Sequence, residues 1–574
     1  MPHFRGKALI NGEATGPLLF SNVPLSFWGG TDPSTGEIID RHHPLSGRIL
    51  HNHILAIPAG RGSCTGSMAM LELMLAGTAP LGLIFEVPEQ IITLGVIVAR
   101  KMFDRSIPVV VLSSSDFALL GDYEHVAIAG ENVHTGPGTP PEQIELQLPK
   151  PTVNKLQLTE DEEVLLAKGP KNAKGLAMEI LTGFAALQGA TSLVSVSQAH
   201  IDACVYTGPA SLSFAESLLS LPDAQVAVPT SMNSISIDQR RWREIGMEPE
   251  KAEAANRLGN AYVKMGARPT FTCAPYLLDS SPERGQHIGW GESNAVVFAN
   301  SVLGARTQKY PDCIDVCIAL TGKAPSSGCH NSEDRAPRVL LKVSRTPVQD
   351  ESIFPLLGYR VGLLSGADIP VVIGMEDMKL SLSDLKAFGA AFATTSSAAM
   401  FHIRGITPEA LSLDKDYSSL QRTQILTQDL VRCWQSLNTA QDDSVSMIAL
   451  GNPHFSLEEF YSLAQLCEKY DRPTEIPLII TTSRAIHEKF IKFGRGQILE
   501  KIGAQVISDT CWCMLEEPVV PPGGGNIMTN SAKYAHYAPG LVRRMVHFDS
   551  LEACVRAAFE GRHSIASPSW LRSS

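Results

Sequence analysis

The sequence has no run of about 18 apolar residues free of breakers and charges, the length a helix needs to span a bilayer, so no membrane is expected as a partner. Its first residues, Met1-Pro2-His3-Phe4-Arg5, lead straight into Ala8-Leu9-Ile10. There is neither a long apolar segment nor a small-residue cleavage site there, so a secretory signal is not expected and the expected location is cytoplasmic. A basic excess is missing too: 48 Lys and Arg stand against 59 Asp and Glu, a formal net charge of -11. Proteins that grip a phosphate backbone carry a basic patch, so nucleic acid is not an expected partner, and the acidity serves solubility. Cysteine is scarce, eleven in 574 residues and an odd number. That is too few for a secreted disulfide framework, which leaves reduced thiols free to act as core residues or metal ligands. No short internal repeat and no low-complexity tract occurs.

What is present is an ordinary globular balance, 44% hydrophobic and 19% charged. At roughly 100–200 residues per domain the length suggests about three to four domain-sized units. Residues 134–156 hold five prolines and two glycines and are the best linker candidate, dividing 1–133 from 157–574. In the smaller part, strands are expected at 9–10, 49–50, 54–57, 81–85 and 107–112, helices at 67–77 and 89–101, and a loop at Phe27-Trp28-Gly29-Gly30-Thr31-Asp32. In the larger part Thr159 and Glu162 form a capping-box pattern that starts a helix. A helix is expected at 175–189 and strands at 193–196, 269–273, 314–320, 339–343, 369–374, 445–451, 476–481 and 504–509. Helices at 457–469 and 484–493 fit between them. The pattern is that of several α/β layers with mostly parallel strands.

In parallel α/β folds ligands gather at the carboxyl ends of strands, so the loops after strands come first. Pro58-Ala59-Gly60-Arg61-Gly62-Ser63-Cys64-Thr65-Gly66-Ser67 follows a strand and opens a helix. Gly60 and Gly62 let the backbone approach a ligand, the helix start attracts an anion, Arg61 suits a carboxylate or phosphate, and Ser63 or Ser67 offers a hydroxyl. An ordinary strand–helix turn has the same composition, and no Gly-Lys-Ser/Thr follows to make a nucleotide loop. Phe271-Thr272-Cys273-Ala274-Pro275-Tyr276, Ser508-Asp509-Thr510-Cys511-Trp512-Cys513 and His200-Ile201-Asp202-Ala203-Cys204 each place a cysteine just past a strand. A lone buried cysteine is normally a small hydrophobe. Three that converge on one rim of strand ends would suit an iron–sulfur cluster with an open iron position, although there is neither a zinc knuckle nor a ferredoxin-like cysteine run.

Pro522-Gly523-Gly524-Gly525-Asn526 is a flexible loop, and Thr529-Asn530-Ser531-Ala532-Lys533 reads as a helix start capped by Asn530 or Ser531. Lys533 then sits in a first turn, where the macrodipole disfavours a cation; a residue placed against a local rule is a candidate for function. Pro229-Thr230-Ser231-Met232-Asn233 is a polar loop after a strand, a composition that ordinary turns share. His42-His43 and His51 with His53 lack a His-Glu-x-x-His pattern and read as surface or structural residues.

Together these segments resemble the aconitase X family. The resemblance is carried by Phe27-Trp28-Gly29-Gly30-Thr31-Asp32-Pro33, His43-Pro44-Leu45-Ser46-Gly47 and Gly60-Arg61-Gly62-Ser63 in the small part. In the large part it is carried by Thr272-Cys273-Ala274-Pro275-Tyr276, Gly291-Glu292-Ser293-Asn294-Ala295, Ala299-Asn300-Ser301-Val302-Leu303-Gly304-Ala305-Arg306-Thr307, Asp509-Thr510-Cys511 and Thr529-Asn530-Ser531-Ala532-Lys533. It implies an aconitase-like multi-domain α/β core, 157–574, with a small N-terminal swivelling β/α domain, 1–133, hinged at 134–156.

It further implies a hydro-lyase that takes cis-3-hydroxy-L-proline to Δ1-pyrroline-2-carboxylate, the fusion of the two parts favouring this over the mevalonate 5-phosphate dehydratases of two-subunit relatives. No obligatory second subunit is expected. An iron–sulfur cluster, 2Fe-2S in preference to 4Fe-4S, is implied with Cys273, Cys511 and Cys204 as ligands and Cys313, Cys329 and Cys513 as alternatives. Ser63 takes the position of the serine base, His200 that of a group steering a proton or orienting a ligand. Lys533, Arg61, Gly62, Thr230, Asn233 and Ser531 become the candidates for holding the substrate. A metal-free anion-binding module is the reading from a different class.

Overall fold

A computed structural model describes residues 3–136, 156–344, 350–412, 416–564, 567–568 and 571. The linker candidate lies, over 137–155, outside the described residues; ahead of it, Asn132–Thr135 is a strand. The chain divides into two compact units, one of residues 1–196, 207–228 and 310–327, the other of residues 197–206, 229–309 and 328–574.

The first unit contains an eight-stranded sheet in the order His3–Arg5, Asn132–Thr135, His125–Ala129, Glu13–Phe20, Ile54–Ile57, Gly82–Phe85, Val109–Val111, Lys7–Ile10. The middle strands from Glu13–Phe20 to Val109–Val111 are parallel, and antiparallel strands flank them. His3–Arg5 and Lys7–Ile10 are consecutive in sequence yet hold opposite edges. Only Gly6 joins them, so the sheet curls round on itself; a Cβ at Gly6 would overlap the Val111 carbonyl oxygen. Helices Gly66–Ala76 and Ile91–Phe103 are the parallel crossovers. Residues 49–50, expected as a strand, contribute one isolated bridge, Glu37 to Ile49. Glu72 of helix Gly66–Ala76 accepts the Ala210 amide at 2.9 Å, capping helix Pro209–Ser220. The run 314–320, expected as a strand, is the helix Ile314–Thr321, every residue of it buried. A helix surrounded by core shows no polar stripe, so its sequence imitates a buried strand.

Beside a small three-stranded parallel sheet ordered Thr230–Met232, Ala199–Ile201, Gly289–Trp290, the second unit carries two larger all-parallel sheets of one design. In the four-stranded sheet the order is His402–Ile403, Pro370–Ile373, Val339–Val343, Gln421–Ile425. In the five-stranded sheet it is Gln505–Ser508, Leu478–Thr482, Met447–Leu450, Ile527–Thr529, Val546–Phe548. In each, the first strand in sequence lies inside and the order reverses beside it, which opens a crevice at the strand ends. Alternation along the five-stranded sheet feeds two cores: Met447, Ala449, Ile479, Ile507 and Ile527 pack on one face, Ile448, Leu450, Leu478, Ile480, Val506 and Met528 on the other. Residues 269–273, expected as a strand, run as an irregular loop with Phe271 at φ 40.

Gly451 ends the inner strand of the five-stranded sheet at φ 94, and a Cβ there would overlap the Thr481 carbonyl oxygen. Left-handed backbone alone costs a side chain roughly 1–2 kcal/mol. Gly451→Ala is therefore expected to lower stability by about 2 kcal/mol or more, read as a lower urea midpoint at unchanged slope.

Candidate active site

Three loops at the carboxyl ends of the five-stranded sheet build the site, and they flank the point where strand order reverses. After Met447–Leu450 comes Gly451-Asn452-Pro453-His454; after Gln505–Ser508 comes Asp509-Thr510-Cys511-Trp512-Cys513; after Ile527–Thr529 comes the start of helix Ala532–Leu541. Ser531 caps that helix by accepting the Tyr534 amide at 3.1 Å, and its hydroxyl donates to the Asn452 carbonyl oxygen. The second loop leaves its strand through Asp509 at φ 69, whose carboxylate accepts from Arg484 and from the Gln239 amide at 3.1 Å. Trp512 Nε1 donates to Leu450 O at 2.7 Å, tying the second loop to the inner strand. His454 joins the first two loops to a fourth segment: its ring meets Thr510 O at 2.7 Å and Thr272 Oγ1 at 3.2 Å, and its amide donates to Cys273 Sγ at 3.2 Å.

These bonds bring three thiols together. Cys511 shares hydrogen bonds with Cys273 and Cys513, and its thiol pKa is pushed up to about 12, chiefly by the bond to Cys273 and then by burial. The Cys513 thiol is raised further by its bond to Cys511 and by burial, while Asn452 Nδ2, donating to its sulfur at 3.2 Å, acts the other way. Beside the thiols lies a buried ion pair, Lys533 Nζ to Glu292 Oε1 at 3.1 Å. Burial works against the lysine's charge, but Glu292 and the three cysteines outweigh it and hold the pKa well above the usual range. Burial likewise opposes the Glu292 carboxylate, and Lys533 together with the Asn294 side chain and amide holds it below the usual range. Asn233 links this carboxylate to Asp202, donating to Asp202 Oδ1 and lying 3.5 Å from Glu292 Oε2. His200, its ring tilted against that of Trp290 and bonded to Ser231 Oγ at 2.8 Å, is kept neutral by burial, which drives its pKa to about 3 against the pull of Glu292. A pocket lined by Gly451, Asn452, Pro453, Asn530, Ser531 and Lys533, with Lys386 and Glu459 at its side, meets this group at Lys533 and Asn452.

Among the described residues no three His, Cys, Asp or Glu side chains stand in ready-made metal-ligand geometry. The donor chemistry nevertheless suits a thiophilic iron centre. Three thiols meet in one buried place, a cation stands beside them to offset thiolate charge, and Thr510 Oγ1, Asn452 Oδ1 and Tyr534 OH are buried nearby with no hydrogen-bond partner among the described residues.

Of the residues expected from sequence, Cys273, Cys511, Lys533 and Ser531 come together here, with Asn233 and His200 adjoining through Glu292. The third thiol in contact is Cys513, held in the sequence reading as an alternative to Cys204. The Cys204 thiol donates to Ile201 O at 3.4 Å and Asn233 O at 3.3 Å. Thr230 lies buried in the strand Thr230–Met232, its carbonyl accepting the Arg268 amide. Ser63, Arg61 and Gly62 belong to the first unit. There Ser63 Oγ accepts the Thr65 amide at 3.3 Å and donates to Thr65 Oγ1 at 3.2 Å; Gly62 turns the loop at φ 80; Arg61 pairs with Asp40 at 2.6 Å and donates to Pro24 O at 2.9 Å. The sequence reading gave no role to Glu292, Asn452 or His454. The strand-end rule that pointed to Cys511 pointed equally to Asn452, since strand 445–451 was expected.

Models of the aconitase X swivel, first, second and third domains match residues 3–135, 155–333, 337–435 and 445–560. The chain belongs to the aconitase X family. Two curated relatives, each named cis-3-hydroxy-L-proline dehydratase, run alongside it almost end to end. That of Hypocrea jecorina is 47% identical over 100% of this chain and 98% of its own. That of Pseudomonas aeruginosa is 48% identical over 98% of each. The crystal structure of Thermococcus kodakaraensis aconitase X in its holo form superposes with a TM-score of 0.64 at 32% identity, covering 70% of this chain and 100% of that one. This aconitase X protein is thus a hydro-lyase, a dehydratase, with the swivel domain and the three other domains matched in one chain. Among the described residues no helix is long and apolar enough to cross a membrane.

Breaking a buried ion pair by removing one partner costs about 3–5 kcal/mol, because the other charge is left unpaired. Lys533→Met and Glu292→Gln are each expected to destabilise by that order in denaturant unfolding. The double variant should lose far less than the sum; strict additivity would show that the pair does not interact.

Proposed function

We propose that the enzyme dehydrates cis-3-hydroxy-L-proline to Δ1-pyrroline-2-carboxylate in the cytoplasm, with 1–133 as a swivelling part hinged through 134–156 on the catalytic 157–574. The observation that carries this reading is near full-length similarity, at 47% and 48% identity, to two dehydratases of that name, spanning the swivel part as well as the core.

The chemistry follows from the residues. A base takes the proton from the carbon bearing the carboxylate, and Ser63 is the proposed base. A serine hydroxyl is a weak base unless its oxyanion is stabilised, and the Thr65 amide donating to Ser63 Oγ at a helix start favours the ionised form. Lys533 binds the substrate carboxylate, with Asn233 and Thr230 shaping its surroundings and Ser531 fixing the helix turn that presents it. Gly62 offers backbone to the same group, and Arg61 anchors its loop through Asp40. An iron–sulfur centre, proposed as 2Fe-2S and held by Cys273 and Cys511 with Cys513 or Cys204 as third ligand, would supply a Lewis acid for the departing 3-hydroxyl. Neutral His200 steers the proton that the leaving hydroxide needs to become water. The electron pair of the broken carbon–hydrogen bond becomes the ring double bond, and the enamine then tautomerises to the imine product.

Purified enzyme offered cis-3-hydroxy-L-proline and mevalonate 5-phosphate side by side should release product from the amino acid alone. Turnover of only the phosphate ester would overturn the reading. Ser63→Ala should reduce kcat by about a thousandfold or more with KM little changed, and an unaltered kcat removes Ser63 as base. Cys273→Ala and Cys511→Ala should each lower iron content after anaerobic purification.

A further inference from the structure

An amide buried between the thiols and the pocket has one half of its hydrogen-bonding capacity unused. Asn452 is 5% exposed and lies on the loop where strand order reverses. Its carbonyl accepts from Ser531, and its side-chain Nδ2 donates to Cys513 Sγ at 3.2 Å. That bond turns the amide nitrogen toward the sulfur and the amide oxygen away from it. The other arm, Oδ1, is buried, lacks a partner among the described residues, and belongs to a side chain that lines the pocket with Ser531 and Lys533. Leaving a buried amide oxygen without a donor is costly, so such an atom calls for a ligand, an ordered water or an ion to complete its bonding.

The surrounding groups select the kind of donor. Lys533 supplies the positive charge that suits a carboxylate. The Glu459 carboxylate faces Lys386 and the Ser456 amide through Oε2. Ser531 Oγ is occupied on both sides, accepting from Tyr534 N and donating to Asn452 O. An α-amino acid entering with its carboxylate toward Lys533 carries its ammonium group one carbon away, and Asn452 Oδ1 is a buried acceptor, without a partner among the described residues, on a residue that lines the same pocket as Lys533.

We propose that Asn452 is a specificity-determining residue that accepts a hydrogen bond from the ring ammonium of a cyclic amino acid, while its other arm holds a cysteine sulfur. This rests on the hydroxyproline reading above. It gives that reading a selector: a substrate without an N–H donor at this place leaves Oδ1 unsatisfied. A site built to hydrogen-bond a substrate group discriminates strongly against the analogue lacking it.

The test uses two unreactive ligands of nearly equal shape, L-proline and (S)-tetrahydrofuran-2-carboxylate, which differ in ring nitrogen against ring oxygen. Their dissociation constants are measured by calorimetry on the iron-loaded full chain. The native protein should prefer the amine by about tenfold or more, and Asn452→Ala should bring the two within about twofold. Asn452→Asp keeps an acceptor and adds charge, so it should raise the preference for the amine. By losing the donor to Cys513 it should also shift the visible absorption of the loaded protein. Equal binding of the two ligands by the native protein overturns the proposal, as does an undiminished preference in Asn452→Ala. If Asn452→Ala does not fold, an amine preference in Asn452→Asp that is no larger than the native one overturns it. Normal turnover of cis-3-hydroxy-L-proline alongside any of these results leaves the substrate reading standing and removes only the role of Asn452. Failure of the native protein either to bind L-proline or to turn over hydroxyproline brings down both.

Discussion

The second unit depends on one electrostatic constraint, a lysine ammonium held inside the protein at the wrong end of a helix. Lys533 stands in the first turn of Ala532–Leu541, where the backbone amides already present partial positive charge. Burial adds a desolvation cost of several kcal/mol for any ion so placed. Glu292 answers both terms at 3.1 Å. Glu292 is in turn held by Asn294, and Asn294 Nδ2 also donates to the Cys273 carbonyl at 3.0 Å. The ion pair, the cysteine-bearing loop and the helix start are therefore one network. An alteration at any member unsettles the others, which is how buried polar networks specify a single arrangement.

The fold explains why this network can exist at all. A parallel sheet delivers every loop at its carboxyl edge to the same side, and the reversal beside Met447–Leu450 keeps the first and fourth loops from covering one another. Segments almost eighty residues apart in sequence, at Asn452 and Ser531, then share a hydrogen bond. The loop bearing Cys273 belongs to no strand, so it needs other anchors. It finds them in His454, whose amide and ring bind Cys273 and Thr272, and in Asn294. The irregular path of residues 269–273, with Phe271 in the left-handed region, is the backbone cost of bringing that thiol to the rim.

Much of this was legible in the sequence wherever local chemistry and tertiary context agree. Apolar strands at 445–451, 476–481 and 504–509, the Ser531 cap and the misplaced cation at Lys533 could be read directly, because each obeys or openly breaks a local rule. Legibility failed where context overrode pattern. Helix Ile314–Thr321 is buried all round and lacks the stripe that marks helices. Residues 269–273 have strand composition, but their contact with the strand Thr230–Met232 is limited to a bridge at Arg268, the Thr272 amide on Met232 O and the Thr270 hydroxyl. Choosing between Cys204 and Cys513 depended on the turn after Cys511, a 3-10 helix over Trp512–Met514 that folds Cys513 back toward Cys511. Glu292 escaped notice because its partner is 241 positions away.

The same accounting bears on which anion the protein is built to hold. In the first unit the Arg61 guanidinium is matched by Asp40 at 2.6 Å, both side chains being almost wholly buried, and its Nε is bound to a carbonyl. In the second unit Lys386 is matched by Glu459 and Lys533 by Glu292. Among the described residues Arg61, Lys386 and Lys533 each have a carboxylate partner, and of the two lysines that line the pocket Lys533 is the one beside the thiols. A phosphate dianion brought into such surroundings would meet Glu292 and Glu459 with too little positive charge to offset its own. A carboxylate balanced by an ammonium on the next carbon brings no net charge, so it asks of Lys533 only direction. Pairing each cation internally therefore favours a zwitterion over a phosphorylated acid, and this support for the hydroxyproline reading is independent of the similarity to named relatives.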